Sequence, residues 1–265
     1  MTYQPRIAAA NSAEWPDLVV ELDRWEETER VAPLWWRDDD AAVPTPQLYR
    51  LLELAASAPL GLAVIPADAK PELASALQWF PRVSVLHHGW CHANHATSGK
   101  KCEYPAERHP VDVADELDEG RRRMRTLFGR RALPVFVPPW NRFSERFVPL
   151  LREAGFVAIS QMAPRKTAPP GELIRELAGG IAVIDVDLDV TAWHEDRKFI
   201  GEAAALARLV ALLRARREGG DDAAIGVLTH HLVMDKATED FLARLGETIA
   251  AHRAARWCNV GELIP

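Results

Sequence analysis

A chain of 265 residues, 48% apolar and 26% charged, is long enough to bury one substantial core. Its formal charge of −6 and scattered Lys and Arg give no basic face, so no nucleic-acid partner is expected. The one tight basic cluster, Arg121-Arg122-Arg123, lies among Asp115, Glu116, Asp118 and Glu119 and reads as a solvated helix face. Cys91, Cys102 and Cys258 show no CxxC spacing, which argues against a disulfide framework and against a Cys-based zinc site. No run approaches the roughly 18 apolar residues of a membrane span, and Met1 to Ala13 does not read as a signal peptide, so no membrane partner is expected and the cytoplasm is the default.

In chain order, an acidic helix is expected over about 17–30, followed by short apolar runs with helical segments between them. The runs 34–37, 61–65, 83–86, 135–137, 157–159, 181–186 and 224–228 are mostly continuous Val, Ile, Leu and Ala, the pattern of strands covered on both faces. Helical spacing marks 45–57, which begins near Pro46, and 147–154 before Gly155. It also marks 113–128, which stops at Gly129, and 202–217, which stops at Gly219-Gly220. The Pro-rich stretch 166–171 reads as a surface loop. Strands alternating with helices over about seven units predict a parallel α/β barrel or near-barrel, with an open doubly wound sheet as the alternative. The whole of 1–265 is expected to be one domain.

Three motifs sit at the C-terminal ends of predicted strands, where parallel α/β proteins place their chemistry. The first is Trp35-Trp36-Arg37-Asp38-Asp39-Asp40. Adjacent carboxylates repel unless a cation relieves them; a metal can take one as a ligand and leave another as a base. An acidic turn ahead of Pro44 and Pro46 is the bland alternative. The second is His87-His88-Gly89-Trp90-Cys91-His92-Ala93-Asn94-His95, which holds four of the nine histidines. His88 and His92 have a spacing that lets two imidazoles meet on one ion, and His92 with His95 is a second choice. Asn94 and His95 are candidates to support the ligands, and Cys91 reads as loop filler. The third is Gly226-Val227-Leu228-Thr229-His230-His231, whose strand-end histidine has a pKa suited to a general acid.

These motifs, in this order, resemble those of the polysaccharide deacetylases, carbohydrate esterase family 4. The family's Thr-Phe-Asp-Asp-Gly aligns with Arg37-Asp38-Asp39-Asp40-Ala41, and its His-[Ser/Thr]-x-x-His with His88-Gly89-Trp90-Cys91-His92. Its Leu-x-His aligns with Leu228-Thr229-His230. The resemblance implies a distorted (β/α)7–8 barrel carrying a metal-dependent hydrolase that removes an acetyl or other acyl group from an N-acetylated sugar or related amide. By that alignment Asp40, His88 and His92 are the metal ligands, Asp39 the catalytic base and His230 the general acid, with His231 in reach of a one-residue slip. A backbone N–H near Trp140 is the expected oxyanion donor.

The family's groove-lining Arg-x-Pro segment is matched only in part by Val137-Pro138-Pro139-Trp140-Asn141-Arg142, from which Trp140, Asn141 and Arg142 are implied to bind substrate. The arginine that opens this segment is absent, and Arg142 or Arg37 is left to orient the base. Asp187 or Asp189 with Trp193 is the counterpart of the family's remaining motif. Trp35 and Trp36 either stack on a sugar or pack in the core. An Asp-His-His set suggests zinc first, with cobalt, nickel and manganese as alternatives. The expected partner is a small-molecule or oligosaccharide substrate. Competing readings are a hydrolase of a small non-sugar amide or imide, and an inactive metal- or carbohydrate-binding protein.

Overall fold

In a computed structural model, residues 12–56, 58–163, 180–193 and 196–265 are described; the expected loop at 166–171 lies outside them. Helix α1 (Trp15–Glu27) starts at a reciprocal cap between Glu14 and Asp17 and buries Leu18, Leu22 and Trp25. Strand β1 (Ala32–Ala41) follows, then α2 (Pro46–Leu54), whose first turn is closed by Leu48 N–H donating to Thr45 Oγ1. The chain continues through β2 (Leu60–Val64), α3 (Pro71–Leu77), β3 (Val83–His88), α4 (Pro110–Phe128) and β4 (Ala132–Val137). Next come α5 (Val148–Glu153), β5 (Ala158–Ile159), β6 (Ala182–Val183), β7 (Leu188–Asp189), α6 (Glu202–Gly219), β8 (Ile225–Thr229), α7 (Lys236–Ala251) and β9 (Ala255–Trp257). None of the described helices is long and apolar enough to cross a membrane.

Every ladder is parallel, in the order β6-β5-β4-β3-β2-β1-β8-β7, with β9 added along the start of β1. This is the distorted, incompletely closed (β/α) barrel that the alternating pattern predicts. The expected strand 181–186 is corrected: its ladder covers only Ala182–Val183, and Val186 pairs separately with Met162. Two short strands, β7 and β9, and the helices α3 and α7 are additions to the expected set.

Side chains alternate across each strand with period two, and this decides which residues can meet. Trp35, Leu86, Val135, Val137, Ala158 and Leu228 form one buried cluster on the concave side. Leu34, Trp36, Val85 and Val227 belong to another, beneath helices that include α1, α6 and α7. Counting on from the concave set by twos puts Arg37 and Asp39, His88, Ser160 and His230 on the concave side at the strands' C-terminal ends. Asp38, His87, Thr229 and His231 fall on the outer side. Trp35 and Trp36 are core residues, donating to Asp185 O and Thr229 Oγ1 respectively, so neither stacks on a sugar.

His87, on the outer side, lies under α4 against Phe136 and Phe156; a Cβ at Gly120 would overlap its Nε2. Burial, helped by the charge of Arg121, lowers its pKa from the usual 6.5 to about 3. Between those pH values the unfolded chain binds a proton that the folded chain refuses. The stability due to a neutral His87 is therefore complete above pH 6.5 and is lost as pH falls toward 3. Denaturant titrations of wild type and His87→Leu should diverge on acidification, wild type losing about 3 kcal/mol more by about pH 4. Parallel curves would exclude a neutral buried imidazole.

Candidate active site

β1 delivers two carboxylates to one mouth because its regularity breaks. The β1–β2 register shifts between Asp38 and Ala41, and Asp40 takes φ 73°. A bulge of this kind re-aims a side chain that strict alternation would send outward. Asp40 Oδ1 consequently lies 3.1 Å from His88 Nε2 and 3.3 Å from His92 Nε2. His88 Nδ1 sits 3.0 Å from Val137 O. With Nδ1–H donating there, Nε2 turns a lone pair toward Asp40, the arrangement a metal-ligating imidazole uses. One carboxylate oxygen and two imidazole nitrogens within 4.8 Å of one another make a donor set that fits a divalent cation.

The three groups are strongly coupled electrostatically. Burial works to raise the Asp40 pKa, yet the His88 hydrogen bond and the charges of His88, His230 and His92 hold it well below the usual carboxylate range. For His88, burial opposes protonation but is outweighed by Asp39 and Asp40, which raise its pKa. His92 is lowered, first by burial and then by His88.

Beside this triad, Asp39 is buried and paired with Arg37, with Nε 2.9 Å from Oδ1 and a terminal nitrogen 2.9 Å from Oδ2. The same guanidinium donates to Ser160 O at 3.1 Å, Ser160 Oγ at 2.8 Å and Asn141 Oδ1 at 2.7 Å. Of the two candidate arginines, Arg37 is the one that pairs with Asp39; Arg142 donates instead to Lys101 O. Asn141, expected to bind substrate, uses its side-chain oxygen to hold Arg37. Trp140 lies against His92, ring centroids 4.4 Å apart.

His230 Nε2 stands 3.9 Å from Asp39 Oδ2, across the mouth. His231 Nδ1 lies 2.6 Å from Asp38 Oδ1, with Thr229 Oγ1 donating to the other Asp38 oxygen at 2.6 Å. Burial opposes a charge on His231, but Asp38 prevails and raises its pKa. The register left open between the two histidines thus places His230 in the mouth and His231 in a buried pair behind it. Asp38, read as one of three carboxylates in a cluster, belongs to that pair. Trp193 meets His230 edge-on at 4.6 Å and donates to Asp189 Oδ2 at 2.7 Å. Asp187 instead accepts from Gly226 N and faces Arg216, so Asp189 is the residue that partners Trp193. Asn94 accepts from Ala96 N and Cys102 N, bracing the loop and touching no ligand.

Strained backbone concentrates here: Asp40, His92, Trp140 and Asn141 all have positive φ, between 55° and 73°. For residues other than glycine this conformation persists only when surroundings enforce it, and it gathers at functional sites. Ser160 and Glu103 are not singled out by the sequence, and Val137 only as the start of the groove segment; each acts through a contact that no motif spacing encodes.

A second group, Asp23, Glu26 and His252, also satisfies a distance test for a cation. Its chemistry does not. Ala254 N–H donates to His252 Nδ1, so Nε2 carries the hydrogen and donates to Asp23 Oδ1 at 3.1 Å, leaving no lone pair for a metal.

No family model matches the sequence, and no curated protein matches it. Solved structures do. A protein assigned as a polysaccharide deacetylase from Mycobacterium smegmatis superposes with TM-score 0.67 at 17% identity, over 96% of this chain and 92% of that one. A family 4 acetyl xylan esterase from Clostridium thermocellum, in complex with cobalt, gives 0.52 at 13% identity, over 87% and 89%. A mutant of a family 4 pseudoenzyme with restored enzymatic activity gives 0.54 at 16%, over 89% and 68%. At these identities the likeness is one of fold. The resemblance read from the motifs is borne out at that level: the chain has the architecture of the carbohydrate esterase family 4 structures.

Proposed function

We propose that this protein is a divergent member of that family, a metal-dependent hydrolase that removes an acyl group from the nitrogen of an acylated sugar or related small amide. The observation that carries the reading is the convergence of Asp40, His88 and His92 beside a separate buried carboxylate, Asp39, clamped by Arg37. A divalent ion, zinc first, held by the triad would supply a water of lowered pKa and polarise the acyl carbonyl. Asp39 takes the proton from the attacking water. Arg37 fixes the position of that carboxylate through its fork and its bonds to Ser160 and Asn141. His230, facing Asp39 across the mouth, protonates the departing amine. Trp140 lies beside His92 and Trp193 beside His230. Arg37 supplies beside Asp39 a guanidinium that the partial groove segment lacks, which favours an active enzyme over an inactive binder.

The test is elemental analysis of purified protein followed by acetate release from N-acetylated sugars and small acylated amides. The expected result is close to one divalent ion per chain, lost in His88→Ala/His92→Ala, with hydrolysis only in the loaded protein. A chain that takes up no divalent ion after reconstitution would overturn the reading.

A further inference from the structure

The loop carrying His92 is held by a carboxylate that the aligned motifs do not contain. Glu103 is fully buried. Its Oε1 accepts from Cys91 N at 2.8 Å and Ala93 N at 3.4 Å, and its Oε2 from Trp90 N at 3.2 Å. Those donors, Trp90, Cys91 and Ala93, bracket His92 on both sides. Asn94 brings the far side of the loop to the same place by accepting from Cys102 N, while His95 N donates to Cys102 O. The neighbouring Arg108 is paired with Glu116, so Glu103 is left to the loop, holding its amides and the Cys91 thiol.

Gly89 completes the arrangement. It has φ 57°, and a Cβ there would overlap Glu103 Oε2 and stand 2.6 Å from Pro139 Cγ. This is the position where the aligned motif has a hydroxyl residue, and no side chain fits while Glu103 is present. His92 itself is held at φ 56°, a conformation that something must enforce.

We propose that Glu103 is the positioning residue of the ligand loop and forms one unit with Gly89: the buried carboxylate gathers the Trp90, Cys91 and Ala93 amides and thereby fixes His92 opposite Asp40. The proposal rests on Asp40, His88 and His92 being a metal site. Glu103 touches neither ion nor substrate, so its loss acts through His92. A partner that orients a ligand in this way typically governs metal affinity by about 10- to 100-fold. Gln keeps the shape but replaces one acceptor oxygen with a donor that faces an amide N–H. Asp keeps the charge but is too short to reach all three amides.

The experiment measures zinc affinity by competition with a chromophoric chelator, and the visible spectrum with cobalt, for wild type, Glu103→Gln, Glu103→Asp, Gly89→Ala and His92→Ala. Unfolding of each metal-free chain is followed in parallel. The expected result is zinc binding weakened about 10- to 100-fold in both Glu103 variants and in Gly89→Ala, with altered cobalt bands. If Glu103→Gln does not fold, Glu103→Asp and Gly89→Ala carry the same test. Unchanged affinity and spectrum in folded variants, with only a lower unfolding midpoint, would reduce Glu103 to loop packing and overturn the proposal. Zinc bound by wild type and lost in His92→Ala shows that the site itself stands, whatever the Glu103 variants do. A wild type that binds no zinc removes the site and the proposal together.

Discussion

Asp39→Asn is expected to lower acyl hydrolysis by about 10²- to 10⁴-fold, the usual contribution of a positioned general base, while the protein keeps its full complement of metal. The separation follows from geometry. Asp40 supplies the oxygen that faces His88 and His92, whereas Asp39 faces Arg37 and His230. Asparagine has the same shape and can still accept from Arg37, but it cannot take a proton from water. Parallel measurement of acetate release and of bound metal decides between roles. Loss of the ion along with activity would mean that Asp39 is itself a ligand and that the assignment of the two carboxylates is wrong. Activity within a few-fold of wild type would remove Asp39 from the chemistry altogether.

How much of this was legible in the sequence depends on whether a contact leaves a periodic trace. The long strands were readable because burial on both faces makes continuous apolar runs at 34–37, 61–65, 83–86 and 224–228. β7 is a pair, Leu188–Asp189, and β9 carries exposed Arg256 at its centre, so neither leaves a run. α3 spans 7 residues, too short for helical period to register. The grouping was legible because His88 and His92 fall close together where β3 ends and Asp40 falls where β1 ends, on the same side of the sheet. The division of the three aspartates was not. Alternation alone sends Asp38 and Asp40 to the same side, and only the bulge at Asp40 separates them. Glu103 was hidden for a different reason: it binds backbone amides, and amides are the same in every residue except proline. Ser160 and Val137 enter through tertiary contacts from other strands, which one strand's spacing cannot encode.

Arg37→Met is expected to have the largest effect on stability of any single change in the site, about 3 to 5 kcal/mol, because it strands a buried partner. Arg37 is wholly buried and Asp39 is 3% exposed, so water cannot replace the guanidinium. The same change leaves Ser160 O, Ser160 Oγ and Asn141 Oδ1 without their donor. Adding Asp39→Asn removes the stranded charge, so the double variant should be more stable than Arg37→Met alone. That recovery, read from denaturant midpoints of the metal-free chains in a double-mutant cycle, isolates the ion pair from the rest of the packing. Arg37→Lys should not rescue, since an ammonium is a point charge and cannot span two carboxylate oxygens, a hydroxyl, a carbonyl and an amide at once. Where Arg37→Lys still folds, hydrolysis should fall about 10²-fold with metal retained, because a base displaced by an ångström no longer meets the water it must deprotonate. A double variant no more stable than Arg37→Met, or an Arg37→Lys enzyme as active as wild type, would show that the guanidinium fills space and does not aim Asp39. Residue 37 and residue 39 stand on one strand and share the concave side by alternation alone, so Asp39 and its guanidinium clamp are set together as β1 forms.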